Sequence, residues 1–154
     1  MTRAEFIQII MGTIGTLGFS LLFNVRGKRL LFATLAGCIS WSFYILFYHV
    51  TENEVLSYFF SAALITVYCE IMARVIKTPT ASFIVPSLVP LIPGASLYRT
   101  MRTAFIGDFN AFRDMAVYTL ELAAALALGV IVASMAVKIV FPLYYKLKAK
   151  VVKK

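Results

Sequence analysis

Apolar residues gather in five long runs, 6–23, 30–50, 55–73, 78–98 and 115–137, and all charged residues but Glu70 and Glu121 fall outside them. Each run is close to the roughly 20 residues that a helix needs to cross the hydrocarbon core of a bilayer. The connections at 24–29, 51–54 and 74–77 are short, and one longer connection spans 99–114. This pattern predicts an all-α fold: a polytopic membrane helical bundle of five spanning segments in a single integral domain over 1–154. Residues 138–154 form a basic tail with aromatic rings at its start, where a membrane interface belongs.

The fourth run differs from the others. Its 21 uncharged residues contain four prolines, and it ends Pro90-Leu91-Ile92-Pro93-Gly94-Ala95-Ser96-Leu97-Tyr98. In a helix, Pro86, Pro90 and Pro93 share one face and deprive the carbonyls of Ser82, Pro86 and Val89 of their amide donors. Hydrocarbon cannot satisfy those oxygens. A broken spanning segment persists where protein buries it or where it lines a wet cavity. The fourth span is therefore expected to be proline-broken, with a tight turn at Pro93-Gly94 and a helix restarting beyond it. The amides of Ala95, Ser96 and Leu97 would then be free to face a carboxylate, with the Ser96 hydroxyl and Tyr98 phenol beside them. The competing reading is a kinked structural helix whose carbonyls are met by Ser87 or by neighbouring spans.

Composition agrees with a membrane protein. The chain is 61% hydrophobic and 14% charged, with mean hydropathy +0.87, values foreign to a soluble domain of 154 residues. Its net charge of +8 would suggest nucleic acid in a soluble protein. Here six of the fifteen Lys and Arg follow the last run, so the charge reads as membrane orientation and no nucleic acid is expected as a partner. With five crossings and the N-terminus outside, eleven of the fifteen cations fall on the inner side and only Arg3, Arg99, Arg102 and Arg113 on the outer. A re-entrant fourth segment would spread them almost evenly. The positive-inside rule thus favours five crossings, N-terminus out and C-terminus in. The first run is too long for a signal-peptide core, lacks a small-residue cleavage site after it, and is expected to remain as a span.

Small residues mark where helices can approach: Gly12, Gly15 and Gly18 in the first run, Ala33 and Gly37 in the second, and Ala125, Gly129 and Ala133 in the last. Cys38 and Cys69 lie inside apolar runs and read as small buried hydrophobes. Two acids fall inside spans. Glu70 has Arg74 one turn away, spacing that suits an ion pair. Glu121 has no cation within a turn and is expected to face the bundle interior, with snorkelling to the interface as the alternative. His49 stands near Glu52 at the end of the second run and reads as a solvated interfacial residue. No nucleophile with a base, phosphate loop or metal-ligand set is present in the sequence, so neither enzyme activity nor a cofactor or metal is expected.

The segment Pro86-Ser87-Leu88-Val89-Pro90-Leu91-Ile92-Pro93-Gly94 with Tyr98, followed by Gly107-Asp108, resembles the hallmark of the small-subunit module of bacterial threonine/serine exporters. Gly18-Phe19-Ser20-Leu21-Leu22-Phe23-Asn24-Val25, the basic loop after it, and Gly37 with Trp41 resemble that module's opening, so the likeness covers about 18–133. Arg26 departs from it, standing where some relatives carry proline. The resemblance implies a cell (inner) membrane protein that works with a larger exporter subunit. It also implies a small carboxylate as solute: threonine, serine or, in related two-protein systems, succinate. On the motif match, Pro90, Pro93, Gly94 and Tyr98 are candidates for the solute path; Pro86 and Ser96 in the broken segment and Glu121 in the last span join them from the reading of the residues themselves. A non-transporting scaffold that stabilises a partner is the rival reading.

The cation count generates a topology prediction. In a background lacking Cys38 and Cys69, a single cysteine at Asn53 should react with an impermeant thiol reagent added to intact cells, and one at Lys150 should react only after the membrane is opened. Reaction at Lys150 from outside would overturn the five-crossing arrangement.

Overall fold

The computed structural model describes residues 3–152, with side chains as far as Pro142. Six α-helices follow one another: α1 (Arg3–Leu22), α2 (Lys28–Thr51), α3 (Glu54–Ile76), α4 (Ala81–Leu88), α5 (Gly94–Ile106) and α6 (Phe109–Val152), with a 3₁₀ turn, Val89–Leu91, after α4. Helices α1, α2, α3 and α6 are each long and apolar enough to cross a membrane, and α4 with α5 forms a fifth candidate span bent by 56°. Among the described residues there is no strand.

Local signals set the ends. Asn53 caps α3 by accepting the Leu56 amide on Oδ1 at 3.2 Å, the usual remedy for a helix's first unpaired amides. Helix α5 stops at Gly107, whose φ of 85° closes the helix in the left-handed region that glycine enters most easily. Asp108 then caps α6 through the Ala111 amide at 3.1 Å. The long connection expected at 99–114 is therefore mostly helix. What connects α5 to α6 is only Gly107 and Asp108. Nor does the last helix stop near 137: it runs on to Val152 through the expected tail, whose Tyr144, Tyr145 and lysine side chains lie outside the described ones.

Helices α2 and α3 form the centre. On one half of the bundle Ala33, Ala36, Ile65, Cys69, Ala73 and Phe83 pack α2, α3 and α4 together. On the other half Tyr58, Leu91, Leu122 and Ala125 join α3, the 3₁₀ turn and α6. Tyr118 near the start of α6 bonds Glu54 at the start of α3. Toward the far ends of the two helices, Arg74 lies 4.5 Å from the centre of the Phe141 ring. Helices α3 and α6 thus run parallel, and the broken α4–α5 segment must carry the chain back from one end of the bundle to the other.

The small-residue faces sort themselves by contact. A Cβ on Gly37 would stand 2.0 Å from Thr16 Oγ1, and one on Gly129 2.5 Å from the Phe59 carbonyl oxygen. These are helix crossings at backbone distance, α1 on α2 and α3 on α6. Gly12 meets Pro90 and Trp41, but Gly15 and Gly18 have nothing within 4 Å, so the expected α1 face packs only at its first glycine. Buried hydroxyls are mostly turned back to their own helix, as Thr16 to the Gly12 carbonyl at 2.8 Å and Thr66 to Ala62 at 2.7 Å. Glu70 is buried and paired with Arg74 at 2.8 Å, as the four-residue spacing leads one to expect. Both cysteines are free thiols.

These crossings predict opposite effects for two alanine substitutions. Gly129→Ala should destabilise the protein by about 2 kcal/mol, since the atom it meets is backbone and overpacking costs on this scale. Gly18→Ala should leave the melting temperature of the detergent-solubilised protein unchanged or raise it. Equal behaviour of the two would contradict the α3–α6 contact.

Candidate functional site

The proline break is built from bonds that tighten the chain where it cannot stay α-helical. The Val89 amide donates to the Pro86 carbonyl, and the Ile92 amide to Val89 at 3.2 Å. Two of the three carbonyls left over by the prolines thus find donors three residues on, in 3₁₀ geometry. Helix α2 supplies another bond, Ser40 Oγ donating to the Ser87 carbonyl at 3.0 Å, while Ser87 Oγ donates to Ile84 at 3.0 Å. Both bonds go to carbonyls other than the three that the prolines leave over, so they brace the break without replacing its lost amide donors. Pro86 is fully buried in this packing.

The turn itself sits one residue earlier than the sequence suggests. Ile92 is extended, with φ −62° and ψ 125°, and Pro93 precedes α5 with φ −75° and ψ 57°. Gly94 is already the first residue of α5 and is not among the positive-φ glycines; a Cβ there would meet nothing within 4 Å. Neither dihedral freedom nor space within this chain demands glycine at 94. The Leu97 amide is also taken, by the Pro93 carbonyl at 3.0 Å, and the Gly94 amide by Ile92 at 2.7 Å. The expected trio of free amides is reduced to those of Ala95 and Ser96.

Beside the break, α1 and α2 leave a track of two adjoining clefts. One, of about 220 Å³, is lined by Gln8, Met11, Gly12, Trp41 and Pro90. The other, of about 320 Å³, lies between α1 and the last turns of α2 and includes Glu5, Gln8, Tyr44, Tyr48 and His49. Gln8 belongs to both. The Trp41 indole N–H is buried without a hydrogen-bond partner among the described residues, while its ring stacks on Tyr44 at 4.8 Å. His49 bonds Glu5 of α1 at 3.0 Å rather than standing beside Glu52. A third cleft, of about 280 Å³, lies past Pro86 on the far side of the break, between Phe23, Val25, Ala81, Ser82 and Val85.

Three of the sequence candidates lie elsewhere. Ser96 is half-buried in α5 and its carbonyl accepts the Thr100 hydroxyl at 2.9 Å. Tyr98 is 69% exposed, on a face of α5 shared with Met101, Arg102, Phe105 and Ile106. Glu121 does not face the interior of this bundle: it is exposed on α6 beside Leu120, because the inward positions of that turn are held by Leu122 and Ala125. The structure brings Pro86 and Pro90 to the clefts and places Gly94, Tyr98 and Glu121 on outward surfaces.

One constellation is absent from the sequence reading. Glu54, half-buried at the first turn of α3, takes the Tyr44 hydroxyl on Oε1 at 3.2 Å and the Tyr118 hydroxyl on Oε2. Tyr58 packs edge-on against Tyr44 at 5.0 Å. In sequence, Glu54 is an ordinary first-turn acid, and its partners lie ten and sixty-four residues away. Only the alignment of tyrosines at matching helix ends could have hinted at it.

Residues 8–136 match the family described as Threonine/Serine exporter, ThrE. No curated protein and no solved structure matches the chain at a significant level. The matched region takes in α1 from Gln8, the broken α4–α5 pair and α6 as far as Ala136, and the chain belongs to the threonine/serine exporter family.

Proposed function

We propose that this chain is a membrane subunit of a secondary exporter for threonine, serine or a similar small carboxylate such as succinate, acting with a larger membrane subunit in the bacterial cell membrane. The observation that carries the reading is the family match laid over a bent spanning segment whose break borders open clefts. Broken helices serve transporters in this way because a solute can be held where backbone and side chains are not committed to helix packing. The Trp41 N–H, Gln8 and the Ala95 and Ser96 amides offer donors suited to a carboxylate, and the Glu5–His49 pair stands at one end of the track. The driving force is an ion gradient, with the N-terminus outside and the C-terminus cytoplasmic.

A larger subunit accounts for the outward candidates. Gly94, Tyr98 and Glu121 are then residues of the wall that the partner completes, and the open space at Gly94 belongs to solute or partner. Purified chain in liposomes should move labelled threonine, serine or succinate only when the larger subunit is present. Transport by this chain alone would favour a homo-oligomer, and failure of the pair with every solute would favour the scaffold reading.

The open position at Gly94 sharpens a mutational test. Gly94 is exposed and a Cβ there meets nothing within 4 Å, so Gly94→Leu should leave expression and membrane insertion intact while abolishing export by the pair. Pro93→Ala, which lets α5 extend toward the 3₁₀ turn, should do the same. Glu121→Gln should retain the protein in the membrane and lower export or alter its pH dependence. Normal export by all three variants would reduce the break to a structural kink.

A further inference from the structure

We propose that Glu54 is the exchangeable-proton site of this exporter, coupling proton binding to the solute cleft through Tyr44 and to the broken helix through Tyr118. The inference rests on the exporter reading above and adds the ion and the residue that carries it.

The geometry favours a proton over a metal cation. Both carboxylate oxygens of Glu54 already accept tyrosine hydroxyls, which present hydrogens and not lone pairs. No group of three or more His, Cys, Asp or Glu that could hold a metal occurs among the described residues. The carbonyls of the break, where unwound backbone often holds sodium, are taken at Pro86 and Val89 by the amides of Val89 and Ile92. No ion pair among the described residues includes Glu54. The groups around it are Tyr44 and Tyr48 from α2, Tyr58 from its own helix and Tyr118 from α6. At the same end of the bundle, Glu5 is bonded to His49, and Arg113 and Asp114 are paired with each other. A carboxylate held by hydroxyls and the positive end of a helix, with no fixed cation beside it, can be neutralised by one proton without leaving a charge unpaired.

Protonation breaks the symmetry of the two contacts. While Glu54 is ionised, it accepts from Tyr44 and Tyr118 and ties α2 and α6 to the start of α3. Adding H⁺ from solution gives a neutral carboxyl group with one O–H, which donates where the anion accepted, so one tyrosine must turn or let go. Tyr44 lines the cleft that continues to Pro90 by way of Gln8. Tyr118 precedes Thr119, whose hydroxyl bonds Thr100 at 3.0 Å and is the polar tie between α6 and α5. One proton therefore loosens either the Tyr44 wall of the solute cleft or the Tyr118 tie to α6, the helix against which the second half of the broken span packs.

The test uses the chain with its larger subunit in liposomes and labelled threonine, serine or succinate as the probe. Glu54→Gln keeps the shape and stays neutral. Accumulation driven by a pH gradient should disappear, while solute exchange at equal pH on the two sides continues near the wild-type rate. Tyr44→Phe and Tyr118→Phe each remove a hydroxyl that the carboxylate accepts, so the midpoint of the pH profile of accumulation should move in both variants. These two variants decide the matter if Glu54→Gln fails to reach the membrane, since a purely structural role would change yield but not the midpoint. Retained pH-driven accumulation in Glu54→Gln, loss of exchange in the folded variant, or unshifted midpoints in both phenylalanine variants would overturn the proposal while leaving the exporter reading in place. Accumulation that follows a sodium gradient and ignores pH would overturn it too. A wild-type pair that moves none of the three solutes rejects both.

Discussion

The parallel contact between α3 and α6 is the constraint from which the rest of the architecture follows. Gly129 lets α6 approach to the point where a methyl group would collide with the Phe59 carbonyl, and Tyr118 and Arg74 set the register at the two ends. Two neighbouring spans that run the same way require an intervening segment to return the chain. That segment is α4–α5, and it has to return through a bundle whose central groove is already formed by α1, α2 and α3. The break lets its first half lie in that groove while its second half leans on α6, a path that no straight helix could follow.

How the break is accommodated also bears on what it can do. Proline alone would leave carbonyls unsatisfied in a medium that offers no donors. Here 3₁₀ bonds supply donors to the Pro86 and Val89 carbonyls, and Ser40 of α2 adds a bond to the Ser87 carbonyl between them, so these oxygens of the break are committed to structure. The amide side is open, because Gly94 and Ala95 are exposed and α5 turns away. Exposed amides at the start of a helix favour anions over cations.

Much of this was legible in the sequence, and the exceptions have physical causes. The apolar runs located the four long spans and the bent fourth segment, since burial in lipid demands unbroken apolar length. The pairs Ala33/Gly37 and Ala125/Gly129 were recognisable as crossings because only small residues permit them. Gly15 and Gly18 show the same spacing without a contact, for spacing records which residues share a face and not what lies opposite. The full lengths of α5 and α6 were not legible because apolar length marks a span and not the helix that carries it, and Arg99, Arg102 and Arg113 sit comfortably on a helix beyond its apolar stretch. Glu121 stood out in the sequence because it falls inside an apolar run, whereas Glu54, at a helix start, did not, although it is the one enclosed by tyrosines from two other helices. Such long-range enclosure has no local signature.

Gly129 has a mechanical consequence. It lies between the two end anchors of α6, eleven residues beyond Tyr118 and twelve before Phe141, and there a Cβ would collide with the neighbouring helix's backbone. A rod pinned near its middle behaves as a see-saw. Tilting α6 by about ten degrees about this fulcrum would swing Tyr118 and Phe141 in opposite directions by about 3 Å each, given the rise of a helix. That travel is enough to part a hydroxyl from a carboxylate at one end and a ring from a guanidinium at the other, so the two faces of the membrane are linked by a single stiff beam.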